Sequence, residues 1–166
     1  YNTAVGYSAG QNMTTGVQNT LIGGLVGDAL TEGANNVAIG YAALTADTFG
    51  ERSVAIGVGA LQTQNFDSTT TAFSTAVGFQ AGNDITTGVG NQLFGAQAGD
   101  LITTGTYNVC LGYDVGSSVQ NLTTGNKNIL IGYKTSGPST TDNAIGIGDT
   151  VTVSANDFSF GKASNV

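Results

Sequence analysis

The sequence predicts an all-β fold, a parallel β-roll or β-solenoid of stacked 17-residue coils. Three observations carry that prediction. A short phrase ending in glycine recurs along nearly the whole chain of 166 residues. The residues ahead of each such glycine are apolar and often β-branched, as strands prefer. The composition also fits: 26 glycines, one proline and 9% charged residues leave neither the proline and strict three-residue period of collagen nor the charge of a disordered chain.

The first element of each coil is a strand. It reads Asn-Thr-Ala-Val before Gly6, Asn-Thr-Leu-Ile before Gly23, Asn-Val-Ala-Ile before Gly40 and Ser-Val-Ala-Ile before Gly57. The phrase continues before Gly78, Gly95, Gly112 and Gly132, with two looser copies ending at Gly146 and Gly161. Subtracting successive positions gives intervals of 17, 17, 17, 21, 17, 17, 20, 14 and 15 residues. At the end of the chain two registers compete, because Gly148 rivals Gly146 as the anchor.

The anchor glycines, Gly6, Gly23, Gly40, Gly57, Gly78, Gly95, Gly112 and Gly132, are the turn glycines, placed to supply positive φ where the chain leaves the strand. A further glycine follows four residues later at Gly10, Gly27, Gly82, Gly99 and Gly116, with Leu44 and Leu61 in that place in two coils. Thr14-Thr15-Gly16, Thr86-Thr87-Gly88, Thr103-Thr104-Gly105 and Thr123-Thr124-Gly125 form another turn. Seventeen residues suit two short strands and their turns, not a helix pair. About ten such coils at roughly 4.8 Å each give a rod of about 45 Å.

Alternation along the strand sends neighbours to opposite faces. Val5, Ile22, Ile39, Ile56, Val77, Phe94, Leu111 and Ile131 share one face and are taken as the structural core. Tyr7, Tyr41, Phe79, Tyr113 and Tyr133 lie on the same side. Ala4, Leu21, Ala38, Ala55, Ala76, Leu93, Cys110 and Leu130 share the other. Both faces are apolar, as in strands buried on both sides. One face fills the coil and the other needs cover, which points to side-by-side association of identical chains. Asn2, Asn19, Asn36, Asn91, Asn108 and Asn128 either stack into a hydrogen-bonded ladder or merely suit the turn entering the strand.

The coils divide the chain at residue 137. Residues 1–137 hold the 17-residue coils, with insertions near 62–73 and 117–127, and residues 138–166 hold shorter coils. The chain starts at Tyr1 without a methionine, as an excerpt of a longer protein would.

Charge and residue inventory exclude several functions. The net charge of −7 and the mere four Lys and Arg oppose nucleic-acid and anionic-lipid binding. No apolar run is long enough for a membrane-spanning helix. There is no histidine, so histidine-based triads and the usual zinc sites are impossible. Asp84, Asp100 and Asp114 recur at similar coil positions, as paired carboxylates would, but turn aspartates recur in the same way. Gly23-Gly24-Leu25-Val26-Gly27-Asp28 misses the calcium nonapeptide spacing. Gly57-Val58-Gly59 and Gly146-Ile147-Gly148 lack the remainder of a dinucleotide fingerprint. Cys110 reads as a small buried apolar residue. No catalytic residue, metal or cofactor is expected.

The phrases resemble the Asn-x-Ala-Val/Ile-Gly-Tyr-x-Ala repeats of YadA-type heads in trimeric autotransporter adhesins. The 17-residue form, with Thr-Thr-Gly between anchors, is similar to repeats in tail-fibre and structural proteins of marine bacteriophages. The resemblance implies a homotrimer. It also implies a structural or adhesive fibre segment, at the virion surface or on a bacterial cell surface. The first expectation is a phage tail fibre spacing or presenting a host-recognition tip. The alternatives are the head of a bacterial adhesin and the non-catalytic part of a carbohydrate-active tailspike. Partners would be a host-cell surface glycan or protein. Gln64, Asn65, Phe66 and Asp67, in the first insertion, are the candidate receptor contacts, because extra residues in stacked repeats go to surface loops.

Overall fold

The computed structural model describes residues 1–117 and 121–162. Residues 118–120 of the second insertion and 163–166 of the last coil lie outside the described residues. Ten strands form one parallel sheet: β1 (Thr3–Val5), β2 (Thr20–Ile22), β3 (Val37–Ile39), β5 (Val54–Ile56), β7 (Thr75–Val77), β8 (Gln92–Phe94), β9 (Val109–Leu111), β10 (Ile129–Tyr133), β11 (Ile145–Asp149) and β12 (Phe158–Lys162). The two remaining strands, β4 (Gly50–Glu51) and β6 (Thr70–Thr71), make a small parallel pair. The chain is a β-solenoid of about nine turns.

Each strand pairs with its copy one coil away, so like residues stack: Ala38 on Ala55, Ile39 on Ile56. The ladder is not confined to the three-residue strands. Amides two and four residues past the anchor also bond to the neighbouring coil, as Leu25 does to Tyr7 and Gly27 to Ala43. On the far side, the amides of Thr14, Thr15 and Gly16 converge on the carbonyl of Thr31, and those of Thr31, Glu32 and Gly33 on that of Thr48. Nearly every corner of the coil is therefore tied to the next one.

At the end of the sheet the register is settled by pairing. Gly132 lies against Gly148, and Gly148 against Gly161. Gly148, not Gly146, is the anchor, and Gly146 takes the inward strand position beside Leu130. The sheet runs without a break past residue 137, and the strands lengthen to five residues from β10 on.

The anchor glycines adopt φ of 130° to 144° in the eight coils from Gly6 to Gly132. Chain proximity adds to the requirement: a Cβ on Gly40 would sit 2.5 Å from the carbonyl oxygen of Gly57. Left-handed backbone is not confined to glycine. Two residues past the anchor, Ser8, Leu25, Ala42, Gln80, Gln97, Asp114 and Lys134 are all left-handed, and so is the residue ahead of each strand-entry Asn or Ser, from Gln18 to Lys127. Each such residue costs about 1–2 kcal/mol intrinsically, held in place by the ladder bonds on either side.

The face taken as the core turns outward. Val5 is 57% exposed, Ile22 and Phe94 39% and Leu111 45%, while Ile39, Ile56, Val77 and Ile131 are half-buried. The opposite row fills the coil: Leu21, Ala38, Ala55, Ala76, Leu93, Cys110 and Leu130 are fully buried. The cause is steric. A coil this small has a narrow lumen, and the row with the smaller average side chain is the one that fits it.

Three further rows complete the interior. One holds Val26, Ala43, Ala60, Ala81, Ala98 and Val115, three residues past the anchors. The next alternates in size with the strand. Where the strand supplies Leu21 or Leu93, the corner is Gly27 or Gly99, and a Cβ there would meet that leucine at 3.0 or 2.8 Å. Where the strand supplies Ala38 or Ala55, the corner is Leu44 or Leu61, fully buried despite left-handed φ of 53° and 49°. The fourth row, seven residues past the anchor, reads Met13, Leu30, Asp47, Gln64, Ile85 and Ile102.

Candidate functional site

The asparagines brace the coil and do more than stack. The side chain of Asn36 donates to the carbonyl of Gly50 at 2.8 Å, closing its own coil, and its Oδ1 accepts the amide of Ser53 at 2.9 Å. Asn108 repeats the pattern with Gly125 and Asn128, and its amide also reaches Asn91 at 3.1 Å. Both alternatives read from the sequence hold a part of this: the amides do bond along the rod, and each also secures the entry to a strand.

In the middle of the rod that ladder stops, because Ser53 and Ser74 stand where the other coils have Asn. A different polar group replaces it. Asp47 and Gln64 occupy the core row otherwise filled by Leu and Ile, and both are fully buried. Gln64 Nε2 donates to Asp47 Oδ2 at 2.7 Å and to Ser53 Oγ at 3.0 Å, and the amide of Gly50 donates to Asp47 Oδ1 at 2.9 Å. Burial pushes the Asp47 carboxyl above its ordinary range, against the lowering effect of the bonds from Gln64 and Gly50.

This placement removes two of the four expected receptor contacts. Gln64 is inside the coil and Phe66 is 5% exposed, so neither meets solvent. Asn65 and Asp67 are exposed, but Asn65 Oδ1 already accepts from the Thr48 hydroxyl at 2.8 Å. Part of the insertion is the β4–β6 pair, which lays it back against the preceding coil. The row seven residues past the anchor was the signal that Gln64 is a core position.

The aspartates Asp84, Asp100 and Asp114 come close enough to interact. Burial raises the Asp100 carboxyl, and repulsion from Asp114 and Asp84 adds to the rise. Asp114 lies 3.7 Å from the Lys134 ammonium. Among the described residues no group of three or more acids or cysteines is arranged to hold a metal ion. Cys110 is fully buried, and burial pushes its thiol up to about 12, so it supplies no thiolate nucleophile at neutral pH.

Two surfaces remain available for recognition. The first is the outward strand face with its flanking rings, Tyr7, Tyr41, Phe79, Tyr113 and Tyr133, all exposed. The Tyr113 and Tyr133 rings stack at 5.6 Å. In the ten-stranded sheet, from β1 to β10, no charged residue falls on the outward strand positions. The second is a cleft of about 400 Å³ lined by Thr106, Tyr107, Asn126, Lys127, Asp142 and Asn143, on the edge where the chain turns into the strand.

No family model, curated protein or solved structure matches this chain. No helix among the described residues is long and apolar enough to cross a membrane.

Proposed function

We propose that this chain is a structural, adhesive segment of a homotrimeric fibre, a virion tail fibre that spaces or presents a host-recognition tip. The observation that carries the proposal is the outward apolar row on every coil. Val5, Ile22, Phe94 and Leu111 are more than one-third exposed, in a row whose strand positions carry no charge from β1 to β10 of the main sheet. Such a row is contiguous, and contiguous apolar surface of this kind marks an interaction site. A partner must match it in length and in coil spacing, and a second copy of the same chain does both. Within each chain the parallel ladder already resists bending and protease attack, since few backbone amides are left without a partner coil. The trimer is the oligomer implied by the repeat's likeness to YadA-type heads and phage-fibre repeats.

Light scattering combined with small-angle X-ray scattering tests the proposal. The expected result is a trimer with the cross-section of packed rods and a length set by about ten coils. A monomer at micromolar concentration, with the apolar row in solvent, would overturn it.

A further inference from the structure

The position ahead of each strand forms a row of left-handed residues along one edge of the rod: Gln18, Asn35, Arg52, Phe73, Gly90, Tyr107, Lys127 and Asn143. Apart from Gly90, every member of the row has its side chain exposed. The residue before it also recurs as a row, and its chemistry changes along the rod. It is Val17, Ala34, Glu51, Ala72 and Val89 in earlier coils, then Thr106, Asn126 and Asp142 in succession. The cleft opens where these three polar residues follow one another.

Its wall is a built polar chain. Asn126 Oδ1 accepts from the Thr106 amide at 2.9 Å and from its hydroxyl at 2.8 Å, and Asp142 Oδ1 accepts from the Asn126 amide at 2.6 Å. Asp142 Oδ2, the Lys127 ammonium and the Tyr107 hydroxyl have no partner among the described residues. Tyr107 is 57% exposed, and its ring lies on Gly90, where a Cβ would come within 2.5 Å of it. Glycine there makes room for the ring, more than half of which stays in solvent.

We infer that this cleft is a saccharide subsite taking one neutral hexopyranose of an oligosaccharide. A pyranose presents an apolar C–H face and a rim of hydroxyls that both donate and accept. Tyr107 offers the flat amphipathic surface for that face. Lys127 donates, Asp142 Oδ2 accepts, and the Asn143 amide can do either. The opposite charges of Lys127 and Asp142 cancel, which favours a neutral sugar over a phosphate or a sulfated polymer. A volume of about 400 Å³ is at the small end for ligand pockets, enough for a ring or two.

This narrows the attachment role proposed above to a ligand class, and it needs only one chain. The test is a printed array of neutral and anionic oligosaccharides, followed by saturation-transfer NMR with the glycans that score. The protein should bind neutral hexose-bearing glycans. Tyr107→Ala and Lys127→Ala should each weaken binding at least tenfold, while Tyr107→Phe retains most of it. No array signal, preference for anionic glycans, or undiminished binding by Tyr107→Ala would overturn the subsite. Circular dichroism and molar mass of the same samples separate the two proposals. A folded trimer that binds no glycan defeats the subsite alone, and a glycan-binding monomer defeats the fibre alone.

Discussion

Ala38 and Ile39 are neighbours in β3, yet one is sealed inside the coil and the other faces outward. The same division holds in the main sheet from β2 to β9: Ala, Cys or Leu inside, and Ile, Val, Phe or Leu outside. Both rows are apolar, so hydrophobicity does not distinguish them. What distinguishes them is volume. The lumen is shared by four rows of side chains per coil, and the larger residues are left for a surface that another chain can cover.

The sharpest way to break that comparison is to place the same charge on each side. Ala38→Asp puts an uncompensated carboxylate in the lumen, a loss of at least about 3 kcal/mol, and should yield no folded protein. Ile39→Asp should keep the β-sheet circular dichroism of the coil while abolishing assembly by light scattering. Normal assembly of the Ile39 variant would remove the outward row from the interface.

Volume inside the coil can be tested by exchange. Leu44→Gly relieves left-handed strain but opens a cavity, with an expected net loss of about 2–4 kcal/mol in urea unfolding. Ala38→Leu alone overpacks the lumen by about 1–3 kcal/mol. The double variant reproduces the pairing of Leu21 with Gly27 and should recover most of both losses. Additive losses would show that strand and corner do not share one space.

The polar braces sharpen the comparison further, because they lie on the inner side. Asn108→Ala leaves the carbonyl of Gly125 and the amide of Asn128 without their bonds, at a cost of about 2–4 kcal/mol. Hydrogen exchange at the Asn128 amide should accelerate, while exchange in β1 and β2 stays unchanged.

Asp47 gives the smallest expected effect and a definite sign. Its carboxyl titrates higher in the fold than in the unfolded chain, so the folded state binds the proton more tightly. The stabilising effect of protonation is complete below the ordinary value of 3.8 and is lost as pH rises through the raised folded value. Asp47→Asn, with the Gln64 amide turned to offer its Oε1, should match the wild type at low pH. At neutral pH it should exceed it. A wild type that gains stability on the variant as pH rises would contradict the burial assigned to Asp47.

The stacked-coil architecture was legible because parallel in-register stacking demands the same residue class at every period. Gly6 through Gly132 and the strands before them therefore announce it. The burial of Gln64 was not legible because the insertion at 62–73 hid the period: Gln64 looks like part of a polar loop until it is aligned with Leu30 and Ile85. The cleft at Tyr107 was not legible at all. Thr106, Asn126 and Asp142 lie 20 and 16 residues apart, and only the close stacking of coils joins them.

From the sequence alone came the all-β class, the coil length, the strand positions and two apolar strand faces, all consequences of local periodicity. Tertiary structure alone decided which face is inside, that Gly148 is the last-but-one anchor, and that Asp47 and Gln64 stand in a core row. Those depend on the width of the lumen and the pairing between coils, which no single coil contains.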